Sequence, residues 1–173
     1  MELIRKNRCF LRNTKGNNIG GRQSLQIELS VMNKGCGGCP YSKFPYKALI
    51  PIFINGKREK VTFNNVDDIW SVVDLLIEEI IENNQSGMSF DLAQSISSQL
   101  PFFACYNNLT DKEILRDVQR YIYCKELGVS PYKEEFGKHP ALWIDRFFVI
   151  KKAFAKMEAT AINKAKSGAK LPK

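Results

Sequence analysis

Cys36 and Cys39 lie two residues apart in the turn Gly35-Cys36-Gly37-Gly38-Cys39-Pro40, followed by Tyr41. Thiolates at this spacing converge on one metal ion or cluster, because so short a loop folds back on itself. The glycines accept the positive φ that such a turn demands. Pro40 fixes the backbone after the second cysteine and offers no N–H, and a Cys-Pro step ends one type of iron–sulfur ligand run. Cys105 and Cys124 complete a candidate four-thiolate set, with Cys9 in reserve; the bland alternative is two surface thiols and two packed ones. Cys105 and Cys124 flank a predicted helix of about 16 residues, near 24 Å long. Both reach one ion only if the Phe102–Asn108 loop folds back along that helix. A cluster spreads its irons over more space, so [4Fe–4S] is the first expectation and zinc the second. Redox work by the pair alone is disfavoured, since a thioredoxin-like motif needs a helix at its first cysteine, and Gly37-Gly38 and Pro40 predict a loop.

Other chemistry finds little purchase. The chain has one histidine, His139, and it precedes proline at a predicted helix start, where it reads as a capping or surface residue. No serine elbow, HExxH or paired-carboxylate motif occurs. Asp67 and Asp68 suit a helix start better than a metal. Cys-x-x-Cys-Pro-Tyr is similar to the cluster run of some iron–sulfur nucleases, but Arg58-Glu59-Lys60 does not supply their Glu-x-Lys core. The loop from Asn13 to Gly21 lacks the Gly-Lys-Ser/Thr ending of a phosphate loop. No catalytic residue is assigned, and the chain reads as a non-enzyme.

The 173 residues, 44% hydrophobic and 25% charged, suit one soluble domain with its own core. The segment Trp70–Ile81 is interrupted by Asp74, Glu78 and Glu79, and no apolar run approaches the roughly 20 residues of a membrane helix. The opening residues show no apolar signal region, so synthesis in a reducing cytosol is expected. Five cysteines, an odd number at uneven spacing, do not make a disulfide framework. The net charge of +8 is polarised: Asp67 to Asp91 is acidic and the stretch after Lys138 is basic. That polarity suits head-to-tail docking as well as nucleic acid.

The elements that must position the cysteines follow from periodicity. Arg8–Arg12 reads as a short strand. Ser24–Met32 alternates Leu25, Ile27, Leu29 and Val31 against polar neighbours, which predicts a half-buried strand leading into the cysteine turn. Tyr46–Ile54 is a second strand with Pro51 at an edge or bulge, and Asn55-Gly56 turns it into Lys57–Phe63. From Asp67 the period becomes helical. A helix runs to about Asn83, a second from Ser89, as its cap, to Gln99. A third opens with the capping box Thr110-Asp111-Lys112-Glu113, buries Ile114, Leu115, Val118 and Ile122, and stops before Gly128. The longest starts at His139-Pro140 and ends at Gly168. It carries an apolar stripe (Trp143, Phe147, Ile150, Phe154, Met157, Ala161) broadened by Ile144 and Phe148, with Arg146, Lys151, Lys152 and Lys156 opposite. The fold class is therefore α+β in a single domain, residues 1–173. Residues 1–65 form a small N-terminal antiparallel sheet with the cysteine turn, 66–168 a C-terminal helical half, and 169–173 a flexible tail.

Three stretches together resemble a known family: Met1-Glu2-Leu3-Ile4-Arg5-Lys6-Asn7-Arg8-Cys9-Phe10, Cys36-Gly37-Gly38-Cys39-Pro40, and His139-Pro140-Ala141-Leu142-Trp143-Ile144-Asp145. The chain resembles the baseplate hub distal subunit of T-even-type contractile-tailed bacteriophages. The resemblance implies a structural or assembly role in the tail hub, with other hub and tail proteins as partners, in a virion part assembled in the host cytoplasm. The cysteine set is also similar in number, though not in spacing, to that of phage tail-tip proteins that hold an iron–sulfur cluster. The alternative is a cytosolic zinc-binding, nucleic-acid-associated regulator.

Overall fold

The computed structural model describes residues 20–32, 38–54 and 56–168. The elements in chain order are α1 (Gly21–Met32), β1 (Tyr46–Ile54), β2 (Lys57–Phe63), α2 (Val66–Gln85), α3 (Leu92–Gln99), α4 (Tyr106–Leu109), α5 (Lys112–Leu127) and α6 (Ala141–Gly168). The architecture is α+β, a two-stranded antiparallel sheet among helices. No helix among the described residues is long and apolar enough to cross a membrane. The predicted strand at Arg8–Arg12 and the tail at 169–173 lie outside the described residues.

The chain groups into two compact units. Among the described residues one holds 38–111 and the other 20–32 with 112–168. The first is built on the β1–β2 hairpin. Ile54 pairs with Lys57 across the turn, and Gly56 has φ 76°, a conformation a side chain resists. The ladder shifts register between Leu49 and Phe53, where Ile50, Pro51 and Ile52 oppose Glu59 alone. Pro51 has no N–H to give a ladder, so the bulge falls where the sequence places it. α2 starts where Asn65 accepts the Asp68 N–H at 3.1 Å, while the Asp68 carboxylate accepts the Asn64 N–H at 2.7 Å. Both bonds satisfy groups that a helix start leaves open. α3 begins later than the sequence suggests, because its cap is Asp91, not Ser89, and Asp91 accepts the Gln94 N–H at 2.9 Å. The Asn84 side-chain amide explains the delay. It accepts from the Phe90 N–H at 2.6 Å and donates to the Phe90 carbonyl at 3.0 Å, which holds the chain out of helix there.

The second unit corrects the largest expectation. Ser24–Met32 is not a strand but most of helix α1. The alternating pattern also satisfies a helix, since Leu25/Leu29 and Ile27/Val31 are both four residues apart. The result is a helix with a wide apolar face, and α1 packs on α5 and α6. A helix closes its own backbone hydrogen bonds, so this stretch needs no strand partner. Ile27 joins Ile114, Val118, Tyr121, Trp143, Val149 and Ile150 in one buried cluster. Lys156 of α6 reaches Glu28 of α1 at 2.7 Å.

α5 ends as predicted, with Gly128 at φ 64° and the Val129 N–H on the Cys124 carbonyl at 3.2 Å. Its inner face is Ile114, Asp117, Val118 and Tyr121, whereas Ile122 is 42% exposed. The face thus drifts one residue from the expected one. On α6, Trp143, Val149, Ile150 and Ala153 are buried, but Phe148 and Met157 are exposed. Arg146, expected to face solvent, is instead 4% exposed. Its guanidinium is drawn inward by Asp117 of α5, at 2.7 Å.

Candidate functional site

The cysteine turn enters the described residues at Gly38, whose φ of 73° bears out the need for glycine there. The Ser42 N–H closes the following turn on the Cys39 carbonyl at 3.3 Å. Asn108, on α4, donates its side-chain N–H to the Tyr41 carbonyl at 2.9 Å. Cys105 is the residue that caps the start of α4. The turn that carries Cys39 and the segment that carries Cys105 are therefore tied together, although 66 positions separate them in sequence.

Tyr46, at the start of β1, marks where they converge. Its ring packs against Tyr41, Phe44 and Phe63 with centroids 5.2, 5.4 and 5.1 Å away, and Phe63 passes the stack on to Phe103. Its hydroxyl is buried with no hydrogen-bond partner. Burial pushes the hydroxyl pKa well above the ordinary tyrosine value. Negative charge on Cys39 and then on Cys105 pushes it the same way, with smaller pushes from Tyr41 and Asp68. Both sulfurs thus act on one hydroxyl. Cys39 is half-buried and Cys105 is 1% exposed.

The other predicted ligands are placed differently. Cys36 and the reserve Cys9 lie outside the described residues. Cys124 is half-buried near the end of α5, in the unit that does not contain Cys39 and Cys105. None of Cys39, Cys105 and Cys124 is joined in a disulfide. Among the described residues no three His, Cys, Asp or Glu side chains gather as a metal site. The described donors that share a neighbourhood are therefore two thiols in apolar, aromatic surroundings, with the remaining cysteine of the Cys-x-x-Cys turn three residues before Cys39. Sulfur donors of this kind fit a soft metal or an iron–sulfur cluster.

His139 does not adjoin the cysteines in sequence or in its contacts. Its Nε2 lies 2.9 Å from the Glu134 carbonyl, and its ring packs near Tyr132 and Phe136. Two features of the structure go beyond the sequence expectations. Tyr46 was legible as one of three aromatic residues within six positions of the cysteine turn. The Asp117–Arg146 pair was missed, with Arg146 placed on the solvent face; its spacing of three from Trp143 and four from Ile150 is the signal that puts it on the apolar face.

Comparison of the chain with known protein families, curated proteins and solved structures finds no match.

Proposed function

We propose that this protein is a non-enzymatic component of the central hub of a phage tail baseplate, or a factor that assembles it, acting by docking. The observation that carries this reading is uncovered apolar surface. On α5, Ile122, Tyr123 and Leu127 are exposed, and on α6, Phe148 and Ile162 are each 53% exposed. Scattered apolar residues are ordinary on a surface, but several large ones on each of two helices suit contact with a partner. The resemblance of the opening, cysteine-turn and His139–Asp145 stretches to the hub distal subunit names that partner as another hub or tail protein. If so, the protein co-purifies with isolated tails or hub intermediates from infected cells. Tails that assemble and infect at normal yield without it would contradict the reading.

The second part of the proposal is a bound metal. Cys36, Cys39 and Cys105 would hold a [4Fe–4S] cluster, or zinc as second choice, with the reserve Cys9 as fourth ligand. The hydrogen bond from Asn108 to the Tyr41 carbonyl, which ties the turn that carries Cys39 to the segment that carries Cys105, supports this. When bound, such a group would supply rigidity, since metal-binding free energy becomes folding free energy. Cys105 is buried and Cys39 half-buried beside the aromatic cluster of Tyr46, and Asn108 holds the turn against the Cys105 segment. Metal analysis with an absorption spectrum of anaerobically purified protein tests it. Visible absorption with iron and sulfide is expected for the cluster, and stoichiometric zinc for the second choice. Metal-free protein of full stability would contradict it.

A further inference from the structure

The second unit contains an open cleft of about 190 Å³ between α5, the start of α6 and Tyr132. Three guanidinium groups line it, from Arg116, Arg120 and Arg146, together with the carboxylates of Glu113 and Asp117. Three positive charges against two negative ones leave it at +1.

The internal pairing does not use up these cations. Asp117 does most of the neutralising, accepting from Arg120 at 3.0 Å and from Arg146 at 2.7 Å. Glu113 lies 3.9 Å from Arg146, beyond hydrogen-bond distance, and its side chain is 69% exposed. The Arg146 side chain is 5% exposed, yet its Nε has no partner. Arg116 is exposed and makes no ion pair or hydrogen bond among the described residues.

The cations are also held in place. The Arg120 guanidinium lies over the rings of Trp143 and Tyr132, 5.3 and 5.7 Å from their centroids, and donates to the Tyr132 hydroxyl at 3.3 Å. Arg116 is four residues before Arg120 on α5, so both project on one face. Planar guanidinium forks fixed this way match the two oxygens of a carboxylate or phosphate. Two guanidinium groups held on Asp117 and one exposed one thus surround an opening with an excess of a single positive charge.

We propose that this cleft binds a small molecule through a singly charged oxyanion, a carboxylate or a phosphodiester, with Arg116 as the group that closes on it. The proposal is independent of the docking role and of the cysteines.

The test is titration of full-length protein with acetate and with dimethyl phosphate, at constant ionic strength made up with chloride. Binding is read by calorimetry and by tryptophan fluorescence, in wild type and in Trp70→Phe, where Trp143 is the remaining tryptophan. A saturable signal with either anion is expected, and the one that binds tighter identifies the chemistry. Arg116→Gln, at an exposed site, should weaken binding about tenfold without moving the melting temperature, as loss of a charged hydrogen bond does. Arg58→Gln, in the other unit, should leave binding unchanged. Absence of saturation with both anions in the calorimeter, or equal weakening by Arg116→Gln and Arg58→Gln, would overturn the proposal.

Discussion

Asp117 carries more than its size suggests. It is 8% exposed and serves both Arg146 and Arg120. Removing one partner of a buried pair strands the other charge in a poor solvent. Asp117→Ala should therefore cost about 3–5 kcal/mol, read from urea unfolding. Asp117→Leu combined with Arg146→Met should recover much of that loss, because the buried Arg146 charge is then removed with its partner and only Arg120, whose side chain is 35% exposed, loses an ion pair. A double variant as unstable as Asp117→Ala would mean the residues act by shape rather than by charge. Tyr46 allows a second test at this scale. Its folded pKa is raised above the ordinary tyrosine value of about 10 by burial first and cysteine charge second. The unfolded chain then gives up this proton before the folded chain does. The contribution of Tyr46 is fully present below pH of about 10 and is lost as pH rises past it. Tyr46→Phe should flatten that alkaline loss. It should cost little at neutral pH, since the hydroxyl it removes has no partner. An unchanged alkaline slope would contradict the burial of this group.

At the scale of elements, legibility depended on whether local chemistry or tertiary company decided the outcome. The hairpin was readable because the sequence Asn55-Gly56 signals a turn, where Gly56 takes φ 76°, and Pro51 falls in the bulge, both within a few residues. The stop at Gly128 was readable for the same reason. Ser24–Met32 was not. Its spacing satisfies periods of two and of four together, and the choice is made by α5 and α6, 80 or more positions away. The shift of the α5 face from Ile122 to Tyr121 has a similar origin, because Tyr121 stacks 5.4 Å from Phe154 of α6 and packs 5.3 Å from Phe147. If α1 is a core helix, Ile27→Ala should destabilise by about 2–5 kcal/mol, seen as earlier loss of the helical circular dichroism on heating. A cost under about 0.5 kcal/mol would place Ile27 on the surface instead. In the candidate site, the Cys-x-x-Cys turn was visible from spacing alone. The approach of Cys105 was not, since it depends on the bond from Asn108 to the Tyr41 carbonyl. Cys124 shows the converse: its position suggested a ligand, and the fold puts it in the unit without Cys39 and Cys105.

For the whole molecule, the proposed docking role predicts that stability and assembly separate. Phe148 and Ile162 are both exposed on α6, and their separation of about four helical turns puts them on one side of it. Changing both to aspartate should alter folding stability little, as surface substitutions usually do. It should abolish docking, because a charge placed in an apolar contact leaves an unpaired group buried. The decisive quantity is the amount of protein retained in tails purified from cells infected with phage that carries only the Phe148→Asp, Ile162→Asp form. Docking through this surface predicts a folded, soluble variant that is missing from the tails and a matching fall in infectious yield. Normal retention of the double variant, with infectivity equal to that of the unaltered phage, would contradict it.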